Sequence, residues 1–408
     1  MSAPPDVEVA PNGSPPASAD QGPGVGARIA QAGESRSARI ESLRALASLC
    51  VVGAHAFLYS YVSATITHSY GHRVILEVGF GSLDVFFVLS GYLLFWPFAR
   101  SSFATGEKVD LRHYALNRVV RILPLYYSVL IVMLVLQNHG GTPGEWWRFG
   151  LFVENFSSKT LYAIDSPMWS LAVEVQFYAL LPFIALFVAR LARGSRHAAI
   201  GILSIGAIAS FVLRQVVYWH GHPPNTALQS SIPTLFSFFA AGMILALLRV
   251  GWMEKPPRWL RGVGGSSTAW FLCSLPLWAI VAWHFSYEPA AALAAALIVG
   301  ACVLPLRRGP FVALTELRVL SRIGVATYSL YLWHVPILLA IDNRSVTSTA
   351  FSGAVPTTAH FLKLYVLGAV ISVLVALVSY RVIEEPALRL RRRWSRSSAP
   401  SVGSPAAE

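Results

Sequence analysis

Charged residues are scarce in this chain. Of its 408 residues, 13% are Asp, Glu, Lys or Arg, whereas 55% are hydrophobic and the mean hydropathy is +0.55. This composition excludes an ordinary soluble globular domain. The strict two-residue alternation of a membrane β-barrel is also missing. The composition therefore indicates a helical membrane protein.

The motifs of several common enzyme classes are absent as well. Only three cysteines occur, Cys50, Cys273 and Cys302, all in apolar runs and without CxxC spacing. They predict neither a disulfide framework nor a zinc site. No GxxxxGK[ST] loop or GxGxxG fingerprint is present, so neither a nucleoside-triphosphate fold nor a Rossmann fold is indicated, and no metal or bound cofactor is predicted.

Long apolar runs are abundant and predict an all-α, polytopic transmembrane bundle of about ten spans. The predicted spans are 41–62, 79–99, 121–138, 167–190, 197–219, 233–250, 268–285, 288–306, 320–340 and 361–383. With the N-terminus inside, 25 of the 32 Lys and Arg residues fall on inner segments and 4 on outer loops. This asymmetry predicts that both termini are cytoplasmic, and it explains the net charge of +12 without a nucleic-acid partner.

Three regions follow from composition. Residues 1–36 are rich in Pro, Ala, Ser and Gly and predict a disordered cytoplasmic tail. Residues 37–388 form the transmembrane domain, and 389–408 a basic cytoplasmic tail that begins with RLRRRWSR, an inner-leaflet anchor. The longest outer loop, about 139–166, contains EWWRFGLFVENF and predicts an interfacial or re-entrant segment.

The first predicted span contains two ionisable side chains, which are energetically unfavourable inside a membrane. Arg44 and His55 lie eleven residues apart, which is three helical turns plus about 20°, so both project from one face. The rise between them is about 16 Å, which places Arg44 at the cytoplasmic mouth and His55 toward the outer side. Ionisable residues within spans mark functional sites by default. The plainer interpretation is a positive-inside anchor and a hydrogen-bonded packing histidine.

Three further titratable residues fall at a similar depth on other spans. Asp84, Glu174 and His334 each come out about 8–10 Å below the outer face, as His55 does. Taken singly, each has a structural explanation. Asp84 fits a structural ion pair or a helix cap, and Glu174 fits a hydrogen bond to a neighbouring helix. His334 fits a hydrogen bond to a backbone carbonyl that Pro336 leaves without its helical donor. Together they predict a wet cavity in which titratable groups pair.

A second arginine cluster lies at the inner face, in HYALNRVVRILPLYY. Arg118 and Arg121 are three residues apart and share a helical face. With Arg44 they would clamp phosphates, because guanidinium groups match phosphate oxygens. Ordinary positive-inside charge explains this stretch equally well.

Six motifs in order resemble the acyltransferase-3 family of integral-membrane O-acyltransferases, over about residues 39–386. They are RALASLCVVGAH (the Arg-x10-His signature), GFGSLDVFFVLSGYLL, RVVRILPLYY, WSLAVEVQFYALLP, IGVATYSLYLWHVPIL and YRVIEEP. Val175 departs from the pattern where an acidic residue is common, and Ser82-Leu83 departs where Gly-Val is common. The expectation is a stand-alone form without an appended extracytoplasmic domain.

The resemblance implies transfer of an acyl group, usually acetyl, from cytosolic acyl-CoA to a hydroxyl of a glycan, a glycolipid or a macrolide-like acceptor. It places function at Arg44, His55, Arg118 and Arg121, with Asp84, Glu174 and His334 in the other motifs.

The predicted mechanism divides these residues by depth. Arg44, Arg118 and Arg121 bind the CoA phosphates, and His55 is the general base because an imidazole pKa lies close to neutral pH. Asp84 or Glu174 orients His55, and His334 positions the acceptor or donates to the thioester oxygen. Direct transfer and an acyl-histidine intermediate both stay open. Cys50 is expected to be a packing residue.

Two matters remain open from the residues alone. Outer aromatics such as Trp169 and Tyr162 fit either interface anchors or platforms for sugar rings. Ten spans with buried acids and histidines would also suit a proton-coupled transporter or flippase of envelope precursors.

Overall fold

The computed structural model describes residues 25–60, 70–137, 140–220, 226–284, 288–342 and 358–390. Within them lie the helices α1 (Val25–Ser60), α2 (Tyr70–Arg100), α3 (Leu111–Val132), α4 (Pro143–Gly150), α5 (Met168–Ala192), α6 (Arg196–His220), α7 (Thr226–Gln229), α8 (Ile232–Glu254), α9 (Ser267–His284), α10 (Glu288–Val303), α11 (Pro310–Thr315), α12 (Arg318–Val325), α13 (Thr327–Ile341) and α14 (Thr358–Ser379). The β-structure in these ranges is one isolated bridge between Ser266 and Arg307. The predicted all-α fold is confirmed.

Helix length and hydropathy give a lower span count than the sequence predicted. Seven helical segments of the described residues are long and apolar enough to cross a membrane, and α12 with α13 forms an eighth that is bent by 76°. The predicted spans 268–285 and 288–306 correspond to shorter apolar helices, Ser267–Trp283 and Pro289–Val303. Both fall below the roughly 20 residues that a straight crossing needs. The polytopic prediction is confirmed, with seven or eight candidate full-length spans among the described residues.

The chain ends are only partly described. Helix α1 begins at Val25, inside the segment that was predicted to be a disordered tail. Its first turns are rich in Ala, Arg, Glu and Gln, which favour helix and extend the spanning helix beyond the apolar run. Residues 1–24 and 391–408, which include most of both predicted tails, lie outside the described residues.

Helices α2 and α8 cross at a pair of glycines. A Cβ on Gly91 would lie 2.1 Å from the Phe239 carbonyl oxygen, and one on Gly242 would lie 2.0 Å from the Val88 carbonyl oxygen. Small residues at such a crossing let two backbones approach closely, which is a common way to join helices in lipid. This close contact explains why a glycine, Gly91, stands in the SGYLL motif. It also holds α2, which carries Leu83 and Ser90, in place against α8.

Helix α13 is held by the closing motif of the chain. The Ser329 hydroxyl donates to Glu384 Oε1 at 2.5 Å, and the Trp333 indole donates to Ser379 Oγ at 3.1 Å. Glu384 lies in a π-helical turn, Tyr380–Glu384, directly after α14. Because Ser329 and Trp333 flank Tyr331 on the same helix, these contacts fix the orientation of the residues that face the cavities described below.

The segment between α3 and α5 folds back without a crossing of its own. Helix α4 begins with a capping box between Thr142 and Glu145. The Gln176 amide of α5 donates to the Phe152 carbonyl at 2.7 Å and to Asn155 Oδ1 at 2.8 Å, and Asn155 donates to the Ser230 carbonyl at 3.0 Å. We call residues 140–167 the outer segment; Phe152 within it has a left-handed φ of 57°.

Candidate active site

The guanidinium cluster predicted from the sequence lines one cavity of about 320 Å³. Arg44 of α1 and Arg118 and Arg121 of α3 share this wall with Glu41 and Glu174. We call it the inner cavity. Arg44 Nη1 lies 3.6 Å from Glu41 Oε2, and its side chain is 16% exposed. Three cations against two carboxylates give a net positive lining, which suits an anion.

A narrow second cavity of about 50 Å³ continues from the inner one. Arg44, Phe86 and Glu174 line both, so the two are adjacent. Glu174 is half-buried and accepts a short hydrogen bond from the Ser90 hydroxyl. We call this second cavity the passage.

The passage adjoins a third cavity of about 470 Å³, the outer cavity. Leu83 and Tyr331 line both of them. The outer cavity is rich in rings, with His55, Tyr59, Phe80, Tyr162 and Trp169 among its lining residues. Three adjoining cavities thus run from the arginine cluster to His55.

His55 and His334 form a contacting pair beside the outer cavity. His334 Nε2 lies 3.3 Å from His55 Nδ1, and His334 Nδ1 lies 2.7 Å from the Tyr331 carbonyl oxygen. His55 Nδ1 also lies 3.1 Å from the Val51 carbonyl oxygen. His55 is 5% exposed and lines the cavity, whereas His334 is fully buried behind it.

One neutral tautomer satisfies all these distances. His334 donates from Nδ1 to the Tyr331 carbonyl, which leaves its Nε2 as an acceptor. His55 then donates from Nδ1 to His334 and Val51. The remaining lone pair of His55 is on Nε2, where a general base would receive a proton.

The two predicted carboxylates take other places. Glu174 belongs to the inner cavity and the passage, with Arg44 and Arg121. Asp84 is half-buried on α2 next to Leu83, and it is not among the residues that line the three cavities. The hydrogen bonds of His55 run to Val51 and His334. Of the four residues predicted to converge at one depth, the structure brings the two histidines into contact, and Glu174 lines the passage that adjoins their cavity.

The comparisons with known proteins identify the family of the chain. The family model described as an acyltransferase domain, acyltransferase-3, matches residues 37–381. The chain belongs to the acyltransferase-3 family. All seven residues singled out in the sequence fall inside the match, and membership of this family accounts for a multi-pass chain.

Relatives of this acyltransferase-3 chain are O-acetyltransferases by name. O-acetyltransferase OatA of Staphylococcus aureus (strain NCTC 8325 / PS 47) is 26% identical over 346 residues, which cover 76% of this chain and 53% of that protein. Peptidoglycan O-acetyltransferase OatA of Listeria monocytogenes is 24% identical over 369 residues, covering 85% and 55%. The putative peptidoglycan O-acetyltransferase YrhL of Bacillus subtilis is 25% identical over 340 residues, covering 76% and 50%.

The chain thus spans about half the length of these relatives. No solved structure gives a significant match.

Two residues of this acyltransferase-3 site were not singled out in the sequence. Tyr331 separates the passage from the outer cavity; its hydroxyl lies 2.6 Å from Ser170 Oγ and donates to the Pro167 carbonyl at 3.2 Å. Its position three residues before His334 was a usable signal, because residues three apart share a helical face. Glu384 is buried against Ser329, 55 residues away in sequence, and no local pattern indicates that pairing.

The outer segment holds two acids that sequence reasoning also missed. Glu154 and Asp165 are both fully buried. Burial raises the pKa of Glu154 to about 8, and it raises the pKa of Asp165 well above its ordinary value. Glu154 lies beside the Tyr126 hydroxyl, which donates to the Phe149 carbonyl. No side-chain oxygen of Glu154 or Asp165 has a hydrogen-bonding partner among the described residues. Both carboxyls are therefore expected to be protonated at neutral pH.

Proposed function

We propose that this protein is an integral-membrane O-acyltransferase that moves an acyl group, acetyl in the first instance, from cytosolic acyl-CoA to a hydroxyl of a cell-envelope glycan. One observation carries the proposal: three guanidinium groups and His55, which contacts the buried His334, line a single run of adjoining cavities. The protein works in the cytoplasmic membrane, with the arginine end toward the cytosol.

The inner cavity takes the anionic part of the donor. Arg44, Arg118 and Arg121 bind its phosphates by charge-assisted hydrogen bonds. The pantetheine arm follows the passage, between Leu83 and Tyr331, and brings the thioester to His55. The rise from Arg44 to His55 along α1 is about 16 Å, comparable to the reach of that arm.

The histidine pair supplies the proton chemistry. His55 Nε2 takes the proton of the acceptor hydroxyl, and the hydroxyl oxygen of the acceptor attacks the thioester carbonyl carbon. The carbon–sulfur bond then breaks, and the same proton passes to the departing thiolate, so the products are an ester and free CoA. His334 holds the imidazole of His55 through Nδ1 and takes the orienting part that was expected of Asp84 or Glu174.

The acceptor occupies the outer cavity. Its Tyr59, Phe80, Tyr162 and Trp169 offer ring faces on which a sugar can stack, as aromatic side chains do at many binding sites. The named relatives act on peptidoglycan, which favours a cell-wall glycan over a macrolide as the first acceptor to test.

The test uses the full chain in phospholipid vesicles with radiolabelled acetyl-CoA and soluble peptidoglycan fragments. We expect acceptor-dependent release of CoA thiol and transfer of label. His55→Ala should lower kcat by at least about 100-fold, since general-base groups contribute about 10²–10⁴. The matched control is His197→Ala, at an exposed histidine near the start of α6.

Each alternative gives a different result. Wild-type transfer by His55→Ala would overturn the base assignment. Label that stays on the protein before acceptor is added, and disappears in His55→Ala, would replace direct transfer with an acyl-histidine intermediate. Accumulation of an unmodified precursor inside the vesicles without CoA release would replace the enzyme with a transporter.

A further inference from the structure

A fourth cavity, of about 330 Å³, lies beside the inner cavity and shares Arg118 with it. Its walls come from the end of α2, the start of α3 and the turn between them. None of its other lining residues was singled out in the sequence. We call it the adjoining cavity.

Local backbone structure forms this cavity. Helix α2 ends in a π-helical turn, Ser101–Thr105, and Gly106 closes it in the left-handed region at φ 71°. A non-glycine residue adopts that conformation only with strain. The chain then turns back so that Asp110 caps α3, its Oδ1 accepting the His113 N–H at 3.0 Å. The concave space lies inside this return, at the arginine end of the bundle.

The chemistry of the lining is mixed in a way that fits a nucleotide. Arg100 and Lys108 are exposed cations in this wall, and Arg118 stands at the border with the inner cavity. Their positive charge favours a phosphate. The Nε of Arg118 is buried and lacks a hydrogen-bonding partner among the described residues. Arg118 is thus available to an anion that enters from either side.

The remaining groups fit a ribose and a base. Glu107 and Asp110 line the cavity and can accept from a ribose hydroxyl or an amino group, as carboxylates do at other nucleotide sites. Trp96 lies in the same wall, with the Arg249 guanidinium 4.5 Å from the centroid of its ring. A base can stack on such an indole. A lipid phosphate, in contrast, would contact only the cations and would leave the carboxylates and the indole without a role.

We propose that the adjoining cavity binds the adenosine 3′-phosphate end of the acyl-CoA donor, with Arg100 and Lys108 on the 3′-phosphate and Arg118 on the diphosphate. This inference rests on the proposed function. It extends the donor path by one compartment: nucleotide in the adjoining cavity, diphosphate in the inner cavity, pantetheine in the passage and thioester at His55.

The experiment compares two donors that differ only in the 3′-phosphate, acetyl-CoA and acetyl-3′-dephospho-CoA. It uses the full chain in phosphatidylcholine vesicles, so that no anionic lipid competes. We expect the wild type to show a KM about tenfold lower for acetyl-CoA, as a charge-assisted phosphate contact gives. In Arg100→Gln/Lys108→Gln, acetyl-CoA should acquire the KM of the dephospho donor, with kcat unchanged.

The control is Arg112→Gln, which removes an exposed charge of α3 outside the cavity lining and should keep the donor preference. Equal KM values for the two donors in the wild type would overturn the inference while leaving the acyl-CoA reaction intact. An unchanged preference in the double variant would overturn it as well. If neither donor releases CoA, the proposed function fails, and the adjoining cavity loses its proposed ligand with it.

Discussion

The inner and outer cavities adjoin the same narrow passage, yet their linings differ in kind. The inner cavity presents guanidinium groups and carboxylates, and the outer cavity presents imidazole, phenol and indole rings. Charge therefore concentrates at one end of the path and ring surface at the other. The half-buried Glu174 lines the passage where it meets the inner cavity, and Tyr331 lines it where it meets the outer cavity.

This difference indicates a division of labour by solvation. Under the proposed function, the charged donor is held where water and opposite charges offset the cost of burying it. The proposed proton transfer lies among rings, where water is scarce and fixed dipoles act more strongly. Changes in the outer cavity should therefore lower kcat, whereas changes in the inner cavity should raise KM.

The largest effect is expected at His334. His334→Ala removes one of the two acceptors for His55 Nδ1, so the imidazole is held by the Val51 carbonyl alone and its orientation is less fixed. We expect kcat to fall by about 100-fold with an unchanged KM for acetyl-CoA. His334→Gln, whose amide oxygen can accept the same hydrogen bond, should recover part of the loss.

Steady-state kinetics across pH would separate a positioning residue from a merely structural one. The kcat–pH profile of His334→Ala should shift, and His197→Ala should reproduce the wild-type profile. A His334→Ala protein with wild-type kcat would show that the histidine contact has no part in the reaction.

A smaller effect is expected in the inner cavity, where substitutions should change KM rather than kcat. Arg44→Ala removes one phosphate partner, which should raise the KM for acetyl-CoA by about 10–100-fold because a hydrogen bond to a charged group contributes about 1.5–3 kcal/mol. Arg44→Lys should be intermediate, since an ammonium cannot make a two-point contact. Arg190→Ala, at an exposed arginine of α5, is the matched control. A fall in kcat at saturating donor would place Arg44 in the chemical step and erase the contrast between the cavities.

Helical periodicity carried most of what the sequence could predict. The shared face of Arg44 and His55, and that of Arg118 and Arg121, depend on spacing within a single helix, and the structure places each pair along the cavities. Depth along a span is equally local, which is why His55 and His334 were expected at one level.

Contacts between helices were beyond such reasoning. Rotation of α2 about its axis leaves Asp84 off the cavity linings while its neighbour Leu83 lines two of them, and depth alone does not determine rotation. The adjoining cavity depends on a π-helical turn and a left-handed glycine, which apolar periodicity does not reveal. The span predicted over 288–306 is longer than α10 for a related reason: the apolar run continues to residue 306, whereas the helix ends at Val303.

The smallest effect on catalysis, but a clear one on stability, is expected in the outer segment. Glu154 has a pKa of about 8 in the folded chain, against an ordinary value of 4.5, so the folded state holds a proton that the unfolded state releases between these values. A raised pKa gives stability that is fully present below the ordinary value and is lost as pH rises through about 8. Asp165 shifts in the same direction, and its loss adds to that of Glu154.

The melting temperature of the detergent-solubilised wild type should therefore fall between about pH 5 and pH 8 and level off above that range. Glu154→Gln, which keeps the shape of the side chain and cannot ionise, should flatten this decline, and Glu154→Gln/Asp165→Asn should flatten it further. Glu145→Gln, at a half-buried acid of α4 whose capping contact a glutamine can keep, should follow the wild-type curve. Because the acids lie in the outer segment, KM for acetyl-CoA should stay constant across the same range in all four proteins. A KM that rose with pH in the wild type alone would instead couple the outer segment to the arginine cluster, and the two cavities would no longer be independent.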